Sequence, residues 1–115
     1  MEMRTRRFAA RVIQLSVMLP NSPEAIIIRR QFTKSGTSIG ANYREANRAR
    51  SRADFKSRIK ICESEASETQ YWIELINEVG WLEQIQTIPV YKECGELLAL
   101  FAAIGRSTDR GRPDV

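Results

Sequence analysis

The fold is decided by the stretch FKSRIKICESEASETQYWIELI, residues 55–76. Its apolar and small side chains recur at spacings of 4, 3, 4, 3, 4 and 3, a heptad register kept over three repeats. These positions are Phe55, Ile59, Cys62, Ala66, Thr69, Ile73 and Ile76. Ser51 before the stretch is a capping residue and Gly80 after it favours termination, so the pattern predicts one long helix.

Two helices are predicted before this stretch. Apolar side chains at positions 8, 12, 15 and 19 form one face of the first helix, which must stop near residue 20, a proline. Ser22 can cap the second helix and Pro23 suits its first turn, and the helix is predicted to run to about Arg50. Gly36 and Gly40 share one face of this helix, where we expect them to let a neighbouring helix approach closely.

A fourth helix is predicted after a loop at residues 81–87. Pro89 is placed in its first turn and Gly105 at its end. We therefore predict an all-α protein, an antiparallel up-down four-helix bundle over residues 1–105. Residues 106–115 are polar and are expected to form a disordered tail.

The composition excludes several classes of site. The 115 residues include no histidine and two cysteines, so His-dependent nucleophile systems, His-ligated metals and Cys₄ zinc sites are excluded. We predict no catalytic residues, no metal and no cofactor. The longest apolar run, residues 97–104, is far shorter than the roughly 20 residues that span a bilayer. With free thiols and no export signal, the expected location is the cytoplasm, away from membranes.

The polar and thiol side chains on helix three have mainly structural interpretations. Cys62, and Cys94 on helix four, fall on apolar faces and are expected to behave as small hydrophobic residues rather than redox centres. Glu65 and Glu68 are predicted to pair with arginines or with Asn42 of helix two, forming a polar layer that fixes helix register. A solvated face is the alternative, and catalysis a more remote one.

Positive charge is concentrated in the first half of the chain. Residues 1–60 carry 14 Lys/Arg against 4 Asp/Glu, a net +10, whereas residues 61–115 carry 4 against 10, a net −6. The predicted nucleic-acid-binding residues are Arg29, Arg30, Arg44, Arg48, Arg50, Arg52 and Lys56. Such a cluster favours contacts with phosphates, and nothing in the sequence provides base readout. The alternative is a solvated face whose arginines meet the acidic half, within a protomer or across an interface.

Helices three and four carry more apolar surface than one bundle face needs. The surplus includes Trp72, Leu75 and Val79 on helix three and Leu98 and Leu100 on helix four. A homo-oligomer would cover this surface. Alternatively, the loop at residues 81–87 folds over it.

Three sequence segments resemble one known family. SIGANYREA (38–46), DF (54–55) and EASETQYW (65–72) look like segments of the "four helix bundle protein" family, bacterial proteins first noticed as reading frames in intervening sequences of large-subunit ribosomal RNA genes. The resemblance covers about residues 8–104. The signature positions are Ser38, Asn42, Glu45, Glu65, Glu68 and Thr69, which we interpret as the polar layer between helices two and three.

The resemblance implies a bundle often assembled as a ring-shaped homopentamer. It also implies similarity to the accessory protein of diversity-generating retroelements, a basic pentamer that works with a reverse transcriptase and RNA. The sequence therefore favours a non-enzymatic, pentameric protein that binds RNA or DNA, with RNA preferred. The alternative is a protein-interaction scaffold, for example for a reverse transcriptase, that does not itself bind nucleic acid.

Overall fold

The computed structural model describes residues 1–110 and contains four helices. They are α1 (Glu2–Ser16), α2 (Pro23–Ala46), α3 (Arg52–Glu78) and α4 (Gln84–Arg110), and no strand occurs in this part of the chain. The connections are short, so consecutive helices run antiparallel. α2 packs on α1 and α3, α3 packs on α4, and a smaller α1–α4 contact closes the bundle. The predicted all-α bundle is confirmed.

The heptad face of α3 forms the centre of the core. Its positions from Ile59 to Ile76 are buried and Phe55 is partly buried, as the spacing predicts. The other helices contribute fully buried side chains, including Phe8, Val12, Phe32, Ile39, Leu97 and Phe101.

Both predicted serine caps are present. Ser22 Oγ accepts a hydrogen bond from the backbone N–H of Ala25 at 3.2 Å, and Pro23 is the first residue of α2. Ser51 Oγ accepts from the N–H of Asp54 at 3.0 Å and starts α3. Each cap satisfies a donor that has no partner within the helix.

Gly80 ends α3 as predicted. Its φ of 81° lies in the left-handed region that glycine adopts without strain. The N–H of Gly80 bonds to the carbonyl of Asn77, and the N–H of Trp81 bonds to that of Ile76, both at 3.1 Å. These two hydrogen bonds form a Schellman motif, which satisfies carbonyls at the end of the helix.

The second helix is shorter than predicted. α2 ends at Ala46, not near Arg50. The N–H of Arg48 then bonds to the carbonyl of Glu45, three residues earlier, which forms a tighter turn than the α-helix. Ser51 must be extended to cap α3, with φ −151° and ψ 163°, so the chain has to leave the helix before it. The cap of the following helix thus limits the length of α2.

The start of α4 also differs from the prediction. The helix begins at Gln84, so Pro89 lies inside it rather than in its first turn. Proline has no N–H to donate to the carbonyl of Ile85, four residues earlier. Ile85 is 79% exposed, so water can hydrate that carbonyl and the helix tolerates the proline.

The end of α4 was wrongly placed at Gly105. The helix continues to Arg110, so residues 106–110, expected in a disordered tail, are helical. Thr108 Oγ1 donates to the carbonyl of Ile104 at 2.9 Å, and Lys56 of α3 forms an ion pair with Asp109. These contacts hold the last turns beyond the glycine. The remaining predicted tail, residues 111–115, lies outside the described residues.

The loop before α4 covers part of the surplus apolar surface. Leu82 is buried and Trp81 packs against the core, which agrees with the loop-folding alternative. Val79 and Leu100 nevertheless stay exposed, at 50% and 37%. Within residues 1–110, no helix has the length and apolar content that a bilayer-spanning segment requires.

Candidate nucleic-acid interface

Five of the predicted nucleic-acid-binding residues lie where α2 turns into α3. Arg44 is in the last turn of α2, Arg48 and Arg50 lie in the connection, and Arg52 and Lys56 are in the first turns of α3. We call these five residues the basic corner. The four arginines are exposed and Lys56 is half-buried, so the structure brings this part of the prediction together on the surface.

Arg44 and Lys56 of the basic corner each have an acidic partner. Arg44 Nε lies 3.6 Å from Glu2 Oε1, and Lys56 pairs with Asp109. The hydrogen bond that Asn47 donates to Glu2 at 2.8 Å, together with the charge of Arg44, lowers the pKa of Glu2. Both ion pairs are largely exposed, so each contributes little free energy and is weakened further by salt.

Arg48 and Arg50 are placed differently. Both are exposed, and neither side chain makes a hydrogen bond or ion pair with residues 1–110. Arg48 contributes to the lowered pKa of Glu2 through its charge alone. Their guanidinium groups are therefore open to an external anion, and guanidinium geometry suits bidentate contact with phosphate.

Arg29 lies away from the basic corner and has a structural role. Its guanidinium donates to the carbonyls of Ser16, Leu19 and Pro20 at 3.0, 2.6 and 2.8 Å. It thereby satisfies carbonyls at the end of α1 and ties the α1–α2 connection to α2. The predicted role of Arg29 in the phosphate-binding set is thus not supported by its position.

Arg30, the neighbour of Arg29, points into solvent. It is exposed, and within the described part of the chain it makes no hydrogen bond or ion pair. It lies on α2 well before the basic corner, so the structure does not join it to the main cluster. Its place in the predicted set remains a prediction.

The predicted polar layer between α2 and α3 exists in part. Asn42 Oδ1 accepts from Arg58 of α3 at 3.2 Å, and Asn42 Nδ2 donates to the carbonyl of Ser38 at 2.9 Å. Thr69 Oγ1 is fully buried and lies 2.8 Å from Ser35 Oγ across the helix interface. The sequence analysis did not identify Ser35, which directly precedes Gly36, as a member of this layer.

The pairing predicted for Glu65 and Glu68 is wrong. Within residues 1–110, neither carboxylate bonds to an arginine or to Asn42. Glu68 instead accepts a hydrogen bond from Trp72 Nε1 at 3.1 Å, one turn along α3. Glu68 lines the groove between α3 and α4, so it faces away from α2. Burial, with the charge of Glu68 added, raises the pKa of Glu65. Glu45 is exposed and takes no part in the layer.

The two glycines of α2 contact α1. A Cβ at Gly36 would lie 2.7 Å from Val12 Cγ1, and one at Gly40 would lie 3.1 Å from Thr5 Oγ1. Close helix approach is therefore the reason for small residues here, as the sequence predicted.

Both thiols lie in the core of the bundle. Cys62 and Cys94 are fully buried, and their Sγ atoms lie 3.5 and 3.1 Å from the carbonyls of Ile39 and Ala66. Burial raises the pKa of each thiol to about 12. This agrees with the prediction that they act as small hydrophobic residues. Within residues 1–110, no three Cys, Asp or Glu side chains are grouped to hold a metal ion.

One ion-pair network was not predicted. Arg4 of α1 donates to Glu93 at 2.6 and 2.8 Å and to Glu96 at 2.8 Å, which fastens α1 to α4. The bidentate hydrogen bond from Arg4 lowers the pKa of Glu93. These residues are far apart in sequence, and no local pattern indicates that they meet.

Comparison with known proteins agrees with this architecture. The model of the family described as 23S rRNA-intervening sequence protein matches residues 2–103. The chain is also similar to a crystal structure from Bacteroides thetaiotaomicron, that of a protein of unknown function from the S23 ribosomal protein family. The two sequences are 36% identical, the TM-score is 0.84, and the match covers 90% of this chain and 96% of that one. Comparison with curated proteins finds no significant match. The chain therefore belongs to the 23S rRNA-intervening sequence protein family.

Proposed function

We propose that this chain is a non-enzymatic nucleic-acid-binding protein that holds phosphates at the basic corner and works as a homo-oligomer, with a pentamer favoured. The observation that carries the proposal is the position of Arg48 and Arg50, which are exposed in one short connection and form no ion pair or hydrogen bond with residues 1–110. Arg44, Arg52 and Lys56 flank them. Five cations at one turn of the chain provide a dense positive field for phosphates.

RNA is the favoured ligand because the matched family is described by an rRNA intervening sequence. The basic corner supports binding without base readout. Its members are arginines and a lysine, and it contributes no aromatic ring to stack on bases. Affinity should come mainly from phosphate contacts and depend strongly on salt.

The test is a titration of the protein, freed of co-purified nucleic acid, into structured RNA and duplex DNA of equal length. Binding is measured at about 50 and about 200 mM salt. The test variant replaces Arg48 and Arg50 by Ala. The matched control replaces Arg7 and Lys92, exposed cations outside the basic corner, so that both variants lose the same charge.

The wild type should bind RNA with an affinity that falls steeply with salt. Removing Arg48 and Arg50 should reduce the slope of log affinity against log salt by about 1 for each lost phosphate contact. The control should keep most of its slope. Equal losses in both variants would show a diffuse charge effect and refute the assignment of the basic corner, and absence of wild-type binding at low salt would refute the function itself.

A second candidate function is a protein-interaction scaffold, for example an accessory subunit for a reverse transcriptase. It is favoured by large apolar side chains exposed at the opposite end of the bundle, where α1 meets α2 and α3 meets α4. Val17, Ile27 and Ile85 are 71%, 58% and 79% exposed there. Apolar side chains gathered at one end are typical of protein contacts. These side chains also support the proposed homo-oligomer.

Light scattering of the purified protein tests the assembly. A pentamer should have five times the mass of the 13.2 kDa chain. Replacing Ile85 and Val17 by Ser should reduce this mass if the end contributes to self-association. If the pentamer forms unchanged in this variant, the exposed apolar end does not mediate self-association and is available to bind another protein. A monomeric wild type would refute the proposed oligomer.

A further inference from the structure

The α1–α2 interface opens into a groove near the start of α1. The groove has a volume of about 410 Å³ and is lined by residues of both helices. Gly40 and Ala41 of α2 lie in it without long side chains, while Arg6 of α1 and Arg44 of α2 supply a cation from each helix. Glu2 is the one carboxylate that residues 1–110 contribute to this lining, so the groove carries two cations against one anion and is formed between two helices rather than on one face.

The cations of the groove have little to hold them inside the protein. Arg6 is exposed and makes no hydrogen bond or ion pair with the residues that the structure describes. Arg44 has one carboxylate neighbour, Glu2, at 3.6 Å, and Glu2 accepts a shorter bond of 2.8 Å from Asn47. An anion that enters the groove would therefore compete with only one long, exposed ion pair.

The size and lining of the groove suit one unpaired nucleotide. Its volume lies within the range of sites that enclose small ligands, roughly 300–1,000 Å³. The lining combines the apolar side chains of Met3, Ala9 and Ala41 with guanidinium groups, which can bind phosphate or lie against a base. A double helix keeps its bases stacked inside and could offer such a groove only its outer phosphates.

We infer that the α1–α2 groove binds an unpaired nucleotide of single-stranded nucleic acid, with Arg6 and Arg44 on its phosphates. The inference rests on the nucleic-acid binding proposed above and specifies its substrate as single-stranded. Arg44 belongs to both the groove and the basic corner, so a strand held at the corner continues into the groove.

The test measures binding of a labelled oligouridylate of about 12 nucleotides, and of an RNA duplex of the same length, at low salt. Arg6→Gln removes a groove cation, and Arg7→Gln is its matched control at the next, exposed position outside the groove. Ala41→Met fills the groove without changing charge, and Ala10→Met makes the same change on an exposed alanine elsewhere. Thermal unfolding of all four variants verifies that each is folded.

Arg6→Gln and Ala41→Met should each weaken oligouridylate binding about fivefold or more, and the two controls should change it by less than about twofold. Ala41→Met should leave duplex binding within about twofold of the wild type. If each groove variant matches its control, or if Ala41→Met weakens duplex and single strand alike, the groove assignment is overturned while the basic corner can still bind nucleic acid. Absence of wild-type binding overturns both proposals.

Discussion

Replacing Gly36 by Ala tests whether the α1–α2 contact depends on a missing side chain. The added Cβ would lie 2.7 and 2.8 Å from the two methyl carbons of Val12 and 3.0 Å from its Cβ. Val12 is fully buried and β-branched, so it has few other rotamers to adopt. The overlap can be relieved only if α1 moves away from α2.

The expected cost follows from two opposing terms. Overpacking a filled core typically destabilises by about 1–3 kcal/mol, and three carbons at or within 3.0 Å place this site in the upper part of that range. Alanine is favoured over glycine inside a helix by about 1 kcal/mol. We therefore expect Gly36→Ala to lower the free energy of unfolding by about 1–2 kcal/mol.

Gly105→Ala is the matched control. Gly105 also lies inside a helix, α4, but a Cβ there meets no atom within 4 Å. This variant should gain about 0.5–1 kcal/mol from helix propensity alone. Both variants are measured by urea unfolding followed by circular dichroism, at one protein concentration, since self-association would shift apparent stability.

A double-mutant cycle identifies the clashing partner. Val12→Ala removes both methyl groups that the new Cβ would meet, so Gly36→Ala should cost less in that background. The coupling free energy should be at least about 1 kcal/mol. The reasoning is refuted if Gly36→Ala is as stable as the wild type while Gly105→Ala gains stability, or if the two sites show no coupling.

Two further predictions concern arginines that hold α1. Arg29→Ala should destabilise by about 2–3 kcal/mol because it removes three hydrogen bonds to carbonyls at and after the end of α1. Arg30→Ala should change stability by less than about 0.5 kcal/mol, and urea unfolding compares the two variants. Arg4 lowers the pKa of Glu93, so this pair stabilises the fold above the ordinary glutamate value of 4.5 and loses its effect as pH falls below it. The stability difference between wild type and Glu93→Gln, about 1 kcal/mol at neutral pH, should therefore shrink in acid, and a difference that grows would contradict this.

Local sequence signals predicted the helices well where the cause is local. The heptad of α3, the serine caps and Gly80 depend on residues within a few positions of one another, and all are confirmed. The end of α4 depends instead on a contact with another helix. Gly105 is an ordinary stop signal, but the ion pair of Asp109 with Lys56 lies beyond it and could not be read from the sequence near the glycine.

The candidate site also combines features that the local sequence predicts with features that depend on contacts between helices. The run of cations around Arg48 is visible in the sequence, and the structure exposes it. Arg29 and Arg30 are adjacent and chemically identical, yet one binds the end of α1 and the other faces solvent. Arg6 was not singled out because it lies far from that run, and only the packing of α1 on α2 brings it beside Arg44.

The ion pairs show which cations of the basic half of the chain are neutralised by carboxylates of the same protomer. Arg4 and Lys56 meet carboxylates of α4, so pairing within a protomer does occur. Arg48 and Arg50 form no ion pair or hydrogen bond with residues 1–110, so both are open to a counter-charge from outside the protomer. If that charge is a phosphate backbone, salt weakens RNA binding and leaves the oligomer unchanged. If it is the acidic half of a second copy, assembly covers the basic corner, and RNA and subunits then compete for the same arginines.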